Sequence, residues 1–228
     1  MDNLKRKDSF WPSYVDIMTT LFAITLVLFA VSYSRFKVKE HELRVIADKY
    51  NEIKSIYQTV ENIDSTYFEY NQQYSKFIFK IRVQYQTGES SLFKLSEDRT
   101  NKAQADSLRN QIMNAGREIR NTILNLQNKE ITNQDFKYLV VIEGQASDDN
   151  YAYNDVLSYQ RALELHKFWV DEAQIDFTKM EHCELVISGS GTKGVPRDTI
   201  NEKNNQRFLI HIVPVIGNIK MDDSFNID

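Results

Sequence analysis

Phe10-Trp-Pro-Ser-Tyr-Val-Asp-Ile-Met-Thr-Thr-Leu-Phe22, continued by Ala23-Ile-Thr-Leu-Val-Leu-Phe-Ala-Val-Ser-Tyr33, decides the architecture of this chain. Every residue from Phe10 to Tyr33 except Asp16 is apolar, aromatic, small or a hydroxyl carrier. At a helical rise of ~1.5 Å per residue the run reaches about 36 Å, against a hydrocarbon core of ~30 Å. It therefore reads as a membrane-spanning helix with some tilt. An ionised carboxylate at such a depth costs several kcal/mol and is usually paired, protonated or part of an ion path. Asp16 is accordingly the first candidate site residue. A structural role competes with that reading, because Asp16 lies about two turns from the start of the span, where water reaches and the helix dipole favours negative charge. Tyr14, Thr19 and Thr20 add polar groups near the same depth, and Thr20 lies one turn beyond Asp16 on the same face. Thr25 and Ser32 read as small packing residues of a helix bundle.

Working outward, the N-terminal tail 1–9 carries Lys5, Arg6 and Lys7, which favours a cytoplasmic N-terminus. Arg35, Lys37 and Lys39 on the far side weaken that bias, so charge alone leaves the orientation open. The span is too long for a cleaved signal peptide and no small-x-small site follows it, so it reads as a retained anchor. The chain has 228 residues and a net charge of −4, with a pI of about 5.7. That balance, with no long basic tract and no zinc spacing, argues against nucleic-acid binding. The single Cys183 cannot form an internal disulfide and reads as a small core residue of a strand. Only 7 Gly and 3 Pro argue against a loop-rich or disordered chain. His41, His166, His182 and His211 are scattered without metal spacing or a neighbouring nucleophile, so an enzyme or metal site is not expected.

Residues 35–73 are expected to form a helical linker. Leu43, Ile46, Tyr50, Ile53, Tyr57 and Val60 alternate at spacings of three and four, which is an a/d seam. The seam suits a dimer coil, and equally an amphipathic helix lying on its own domain or on the membrane. Beyond it, Phe77, Phe79, Ile81, Val83 and Tyr85 alternate with polar residues as a half-buried strand. Helical spacing is expected over 102–128 and 154–170, with further strands at 138–143, 183–188 and 208–213. The order is β-α-β-α-β-β, an α+β sandwich over 74–220 with helices on one sheet face, followed by a tail 221–228.

Two separated segments resemble one family. Trp11-Pro-Ser-Tyr-Val-Asp-Ile-Met-Thr19 is similar to the anchor helix of MotB-type stator subunits, in which a Tyr-x-Asp-x-Met-Thr core carries a proton-accepting aspartate. Ile142-Glu-Gly-Gln-Ala-Ser-Asp148, Asn154-x-x-Leu157-Ser158-x-x-Arg161-Ala162, Gly189-x-Gly191, Pro196 and Asn205-Gln-Arg207 resemble, in order, the motifs of the OmpA-like peptidoglycan-binding domain. The Phe-Trp before Pro-Ser-Tyr-x-Asp looks most like the B subunits of Zorya anti-phage motors.

The resemblance implies a homodimer in the bacterial inner membrane, with the N-terminus cytoplasmic and the C-terminal domain periplasmic. It implies two anchor helices inside a ring of a MotA-like multi-pass partner, and Asp16 passing protons to drive rotation in a defence system. Flagellar or gliding stators, and a passive membrane-to-peptidoglycan tether, remain alternatives. No cofactor is implied; the transported ion is H+, with Na+ open because Tyr14, Thr19, Thr20 and partner hydroxyls could coordinate it. The physics agrees with a proton relay, which needs a carboxyl that alternates between a wet, charged state and a dry, neutral one. At the wall-binding end the family's His-Thr-Asp is replaced by Gln145-Ala146-Ser147, and the loop to Asn154 is one residue shorter. By resemblance, Asp148 or Asp149 takes the family aspartate's place on the diaminopimelate moiety, with Arg161 pairing its carboxylate. Asn154, Leu157 and Arg207 complete the expected site, although Asn154 equally suits a helix N-cap and Arg207 the flank of an edge strand. The segment around Phe36–Ile46 is, by analogy, a candidate plug against ion leakage.

Overall fold

The computed structural model of the chain describes residues 11–93, 101–128 and 136–216. The tails 1–9 and 221–228 lie outside the described residues, and so do Phe10, Lys5, Arg6 and Lys7. One helix, α1, runs unbroken from Trp11 to Glu61. Proline is tolerated in its first turn, where the missing N–H has no helical partner anyway. After Pro12 neither glycine nor proline interrupts it. It is long and apolar enough near its N-terminus to cross a membrane. The chain divides into two compact units, one ending at Asn51 along α1 and the other beginning at Glu52.

The a/d seam is split between these units. In the first, Leu43, Ile46 and Tyr50 are exposed. In the second, Val60 is buried and Ile53 packs against the domain's own core together with Ile56, which lies outside the seam, while Tyr57 of the seam stays exposed. The last two turns of α1 therefore use their apolar face as a domain helix does, and the 35–73 segment does not stay helical throughout. After Glu61 it turns and supplies a strand, β1 (Phe68–Asn71).

The remaining elements are β2 (Lys76–Phe79), α2 (Lys102–Asn128), β3 (Phe136–Gly144), α3 (Asn154–Ala173), β4 (Cys183–Gly189) and β5 (Phe208–Ile216). They form an α+β domain around a five-stranded sheet of order β1-β2-β5-β3-β4. β3 pairs parallel with β4 across the α3 crossover and antiparallel with β5. Tyr138, Val140 and Ile142 of β3 stand in register with Pro214, Ile212 and Ile210 of β5. Tyr138, Val140, Ile142, Ile210 and Ile212 meet the buried Ile112, Ile119 and Ile123 of α2 and Leu165, Phe168 and Trp169 of α3. Trp169 satisfies its indole N–H by donating to the Ile112 carbonyl at 2.8 Å, which locks the two helices together.

The strand expected over 77–85 is shorter than its side-chain alternation. β2 ends at Phe79, although Ile81, Val83 and Tyr85 stay buried and Arg82 and Gln84 exposed. The reason is the partner: β5 pairs with β2 at Phe77↔Ile210 and Ile78↔Leu209 and begins at Phe208, so residues after 79 have no strand beside them. The segment keeps an extended chain's period without a ladder.

One ion cluster ties three strands. Glu143 Oε2 accepts from Lys76 Nζ at 2.8 Å and lies 3.0 Å from His211 Nε2. Burial alone would raise the Glu143 carboxyl; bonds from His211, Lys76 and Ser190, with the Lys76 charge, outweigh it and hold the carboxyl at about 2. A carboxylate depressed in the folded state contributes stability above its ordinary value, and that contribution is lost as pH falls through the folded one. We expect Glu143→Gln to cost about 1–3 kcal/mol at pH 7, by loss of a buried pair. Denaturant titrations should show the gap to the wild type closing as pH drops from about 4.5 toward 2. A pH-independent gap would mean that packing, not charge, is what Glu143 contributes.

Candidate functional site

Asp16 lies on the exposed surface of α1, on the part long enough to span a membrane. Among the described residues its carboxylate has no hydrogen-bond partner; only its backbone carbonyl is engaged. That carbonyl accepts the Thr19 hydroxyl at 2.9 Å and the Thr20 hydroxyl at 2.8 Å. Both threonines thus turn their protons back into the helix, as hydroxyls do in apolar surroundings, leaving oxygen lone pairs free to face outward. Tyr14 is not part of this group: two residues away along a helix is a different face, and its ring stacks on Trp11 at 6.1 Å.

In the domain, the motif residues are first of all a scaffold. A side chain at Gly144 would collide with the Ser158 carbonyl, and one at Gly189 with the backbone of Tyr159, so β3 and β4 end in direct contact with α3. Ser158 is fully buried; its hydroxyl donates to the Asp155 carbonyl at 2.8 Å and accepts the Gly191 N–H at 2.9 Å. Leu157 beside it is buried in the core face. Asn154 is the first helical residue and not the N-cap, which is Tyr153. Its amide donates to Asp149 Oδ1 at 3.0 Å, and the same oxygen accepts the Tyr151 N–H at 3.2 Å.

Arg161, two turns into α3, is only 2 % exposed. Its Nε–H donates to the Glu89 carbonyl at 3.1 Å, and its guanidinium lies 4.3 Å from the centre of the Tyr85 ring. Burial holds the guanidinium below the usual arginine range, while Tyr85, Asp149 and Glu89 oppose that shift. Among the two loop aspartates, Asp149 is the one whose charge reaches Arg161. Asp148 is exposed and held through its backbone N–H, which donates to Glu202 Oε2 at 3.2 Å.

Arg207 turns inward on a different set of groups. It donates to Gln145 Oε1 at 3.0 Å and to the Pro196 carbonyl at 2.8 Å, and the Gln145 amide also donates to Pro196. Where the resembled domain reads His-Thr-Asp, Gln145 thus bridges Arg207 and a loop carbonyl, while Ser147 accepts from Gln206. The loop after Pro196 is held by the buried Asn205, which accepts the Asp198 N–H and donates to the Asp198 carbonyl and to Glu202. Bonds from Asn204 and the backbone of Asn201 and Ile200 hold the Asp198 carboxyl at about 2.

The expected residues therefore form two groups. Asp149, Asn154 and Arg161 come together at the start of α3, with Leu157 packed beneath; Arg207 joins Gln145 and Pro196, and Asp148 the 196–207 loop. A cleft of about 1090 Å³ runs along Asp148, Asp149 and Arg207 and is walled on another side by residues 83–87. Arg161 does not line it, and Tyr85 does. Tyr85 and Glu89 escaped the sequence reading, since an aromatic at the end of an alternating run looks like one more core position.

No protein-family model matches the chain, and no curated protein sequence matches it. Among solved structures it is similar to the OmpA-like domain of FopA1 from Francisella tularensis, at 15% identity and a TM-score of 0.36, covering 63% of this chain and 75% of that one. It is also similar to a MotB-like protein from Desulfovibrio vulgaris, at 13% identity and a TM-score of 0.39, covering 78% and 98% respectively. Both scores are low, and the functional reading rests on the residues of this chain.

Ser158→Ala removes the acceptor of a buried N–H and should destabilise the domain by about 1–3 kcal/mol. Amide exchange at Gly191 should accelerate with it; unchanged exchange there would place the stabilising role of Ser158 elsewhere.

Proposed function

We propose that this chain is the wall-anchored B subunit of a proton-driven membrane motor, with Asp16 as the proton-carrying group. The observation that carries the reading is the single carboxylate of the apolar stretch 11–33, without a hydrogen-bond partner among the described residues, on the one helix among them of membrane-spanning length. A charge so placed is costly unless function retains it. The Thr19 and Thr20 oxygens beside it supply polar contacts for a proton or its water carrier. The same helix continues into an α+β domain whose scaffold motifs order a loop-lined cleft, which suits attachment to peptidoglycan. On this reading two copies stand in the inner membrane, N-termini in the cytoplasm and domains in the periplasm, inside a ring of a MotA-like multi-pass partner. The Phe10-Trp11 context of the anchor motif supports use of the motor in anti-phage defence over flagellar or gliding motility.

The test is proton flux in liposomes carrying the complex extracted from membranes, followed with an interior pH dye. The wild type should dissipate a pH gradient. Asp16→Asn should reduce the flux to that of protein-free liposomes while leaving the mass of the extracted complex unchanged, and Asp16→Glu should retain part of it. Equal fluxes for wild type and Asp16→Asn would replace the motor by a passive tether. Protection of cells against phage, lost in the same Asp16→Asn variant, tests the defence role separately.

A further inference from the structure

Arginine offers five N–H donors in a rigid fork. Among the described residues, only Nε–H of the buried Arg161 has an acceptor, the Glu89 carbonyl. Directly over this guanidinium lies Tyr85, only 8 % exposed, whose hydroxyl is buried without a hydrogen-bond partner. Buried polar groups are nearly always paired, and the unpaired Tyr85 hydroxyl, beside guanidinium N–H groups that have no acceptor among the described residues, marks a place where a polar ligand fits. The terminal amino groups of a guanidinium fit a carboxylate in bidentate fashion, and a phenol can add a third bond to it.

The cover over Arg161 is of an unusual kind. Residues 80–86 have an extended chain's alternation but no strand to pair with. Among the described residues, backbone bonds there are the Lys80 N–H to the Tyr67 carbonyl and the Glu89 N–H to the Gln86 carbonyl, a turn bond. Gly88, with φ of 78°, supplies the left-handed residue of that turn. Between Lys80 and Thr87 those two are the backbone bonds outside the sheet among the described residues, and a stretch without a ladder opens at lower cost than the sheet it leaves. Residues 84–87 line the cleft, and the Tyr85 ring of the same stretch covers Arg161, which does not line it.

We propose that residues 84–91 are a latch: closed, it satisfies Arg161 with the chain's own Tyr85 ring and Glu89 carbonyl, and lifted, it admits the carboxylate of a wall-peptide stem to the same guanidinium. The ligand rests on the wall-binding reading above; the latch rests on the geometry alone. Closing the site by self-occupation lowers apparent affinity by the fraction of open molecules, so a latch open about 10 % of the time weakens binding about tenfold.

The experiment uses the full chain in detergent with two readouts. Phenylglyoxal labelling, mapped by mass spectrometry, reports access to Arg161, with the exposed Arg82 as internal reference. Co-sedimentation with isolated peptidoglycan sacculi reports binding. We expect Arg161 to label far more slowly than Arg82 in the wild type and in Tyr85→Phe, and to label readily in Tyr85→Ala. Sacculus binding should rise about tenfold in Tyr85→Ala, and Arg161→Ala added to that variant should abolish the gain. Labelling of wild-type Arg161 at the Arg82 rate, or strong wild-type binding that Tyr85→Ala does not raise, overturns the latch. An Arg161 uncovered by Tyr85→Ala in a protein that never binds sacculi overturns the wall-binding reading and its carboxylate ligand, and leaves the latch standing. Should Tyr85→Ala fail to fold, hydrogen exchange of the wild type decides. Amides of 84–91 should exchange faster with sacculi present while those of α3 do not change, and equal exchange with sacculi bound overturns the proposal.

Discussion

The first turns of α3 lie so close to the ends of β3 and β4 that neither Gly144 nor Gly189 has room for a side chain. Much of the domain is arranged around that contact. It sets the depth of the parallel β3–β4 pair against its crossover helix and brings the Gly191 N–H to the Ser158 hydroxyl. With α3 fixed, Leu157 faces the core, Asn154 meets the 148–150 loop, and Arg161 falls beneath the 84–91 segment. Gly144, Gly189 and Ser158, motif residues outside the expected ligand set, are what makes this approach possible.

Charge burial is solved in three ways within one domain. Lys76 and Glu143 neutralise each other with His211 in attendance, so both charges keep a full partner. Arg207 is answered by uncharged oxygens of Gln145 and Pro196, a cheaper arrangement at a half-buried position, where water still screens part of the guanidinium. Arg161 is the most buried of the three and has the least hydrogen-bonding support: one carbonyl and the face of a tyrosine. A cation–π contact stabilises a guanidinium without using its N–H groups, so it can hold the charge while leaving the donors uncommitted. That combination sets Arg161 apart from a structural ion pair.

The helices and core strands were legible in the sequence because each has a partner that enforces its period. The 102–128 spacing through Ile112, Ala115, Ile119 and Ile123 is the buried face of α2, and the Tyr138–Glu143 run is the middle of β3. Where partners are missing, period and structure separate. Ile81, Val83 and Tyr85 alternate as a strand would, yet nothing in their own sequence records that β5 starts at Phe208 and leaves them unpaired. The a/d seam divides in the opposite sense: Ile53 and Val60 satisfy a coil's spacing but pack against their own domain, since period reports an apolar face and not its occupant. For the same reason the motif singles out Arg161 but not Tyr85 and Glu89, which only the fold brings to it.

The continuity of α1 links the two ends of the seam to Asp16. Counting back in sevens from Tyr50 passes through Leu43, Phe36, Phe29 and Phe22 to Val15, so one apolar heptad series runs from the exposed linker into the span, and it stays on one face where two copies supercoil to take up the ~20° drift per heptad of a straight helix. Asp16 follows that series by one position, and Thr20 and Ala23 continue its face rather than that of Val15 and Phe22. Two copies paired along the apolar series would therefore turn their aspartates away from each other and outward. Two like charges held in low dielectric repel strongly, and this phase avoids that contact while presenting each carboxylate to whatever surrounds the pair. The heptad phase of the exposed linker is thus the phase that sets Asp16 beside, and not on, the apolar series of α1.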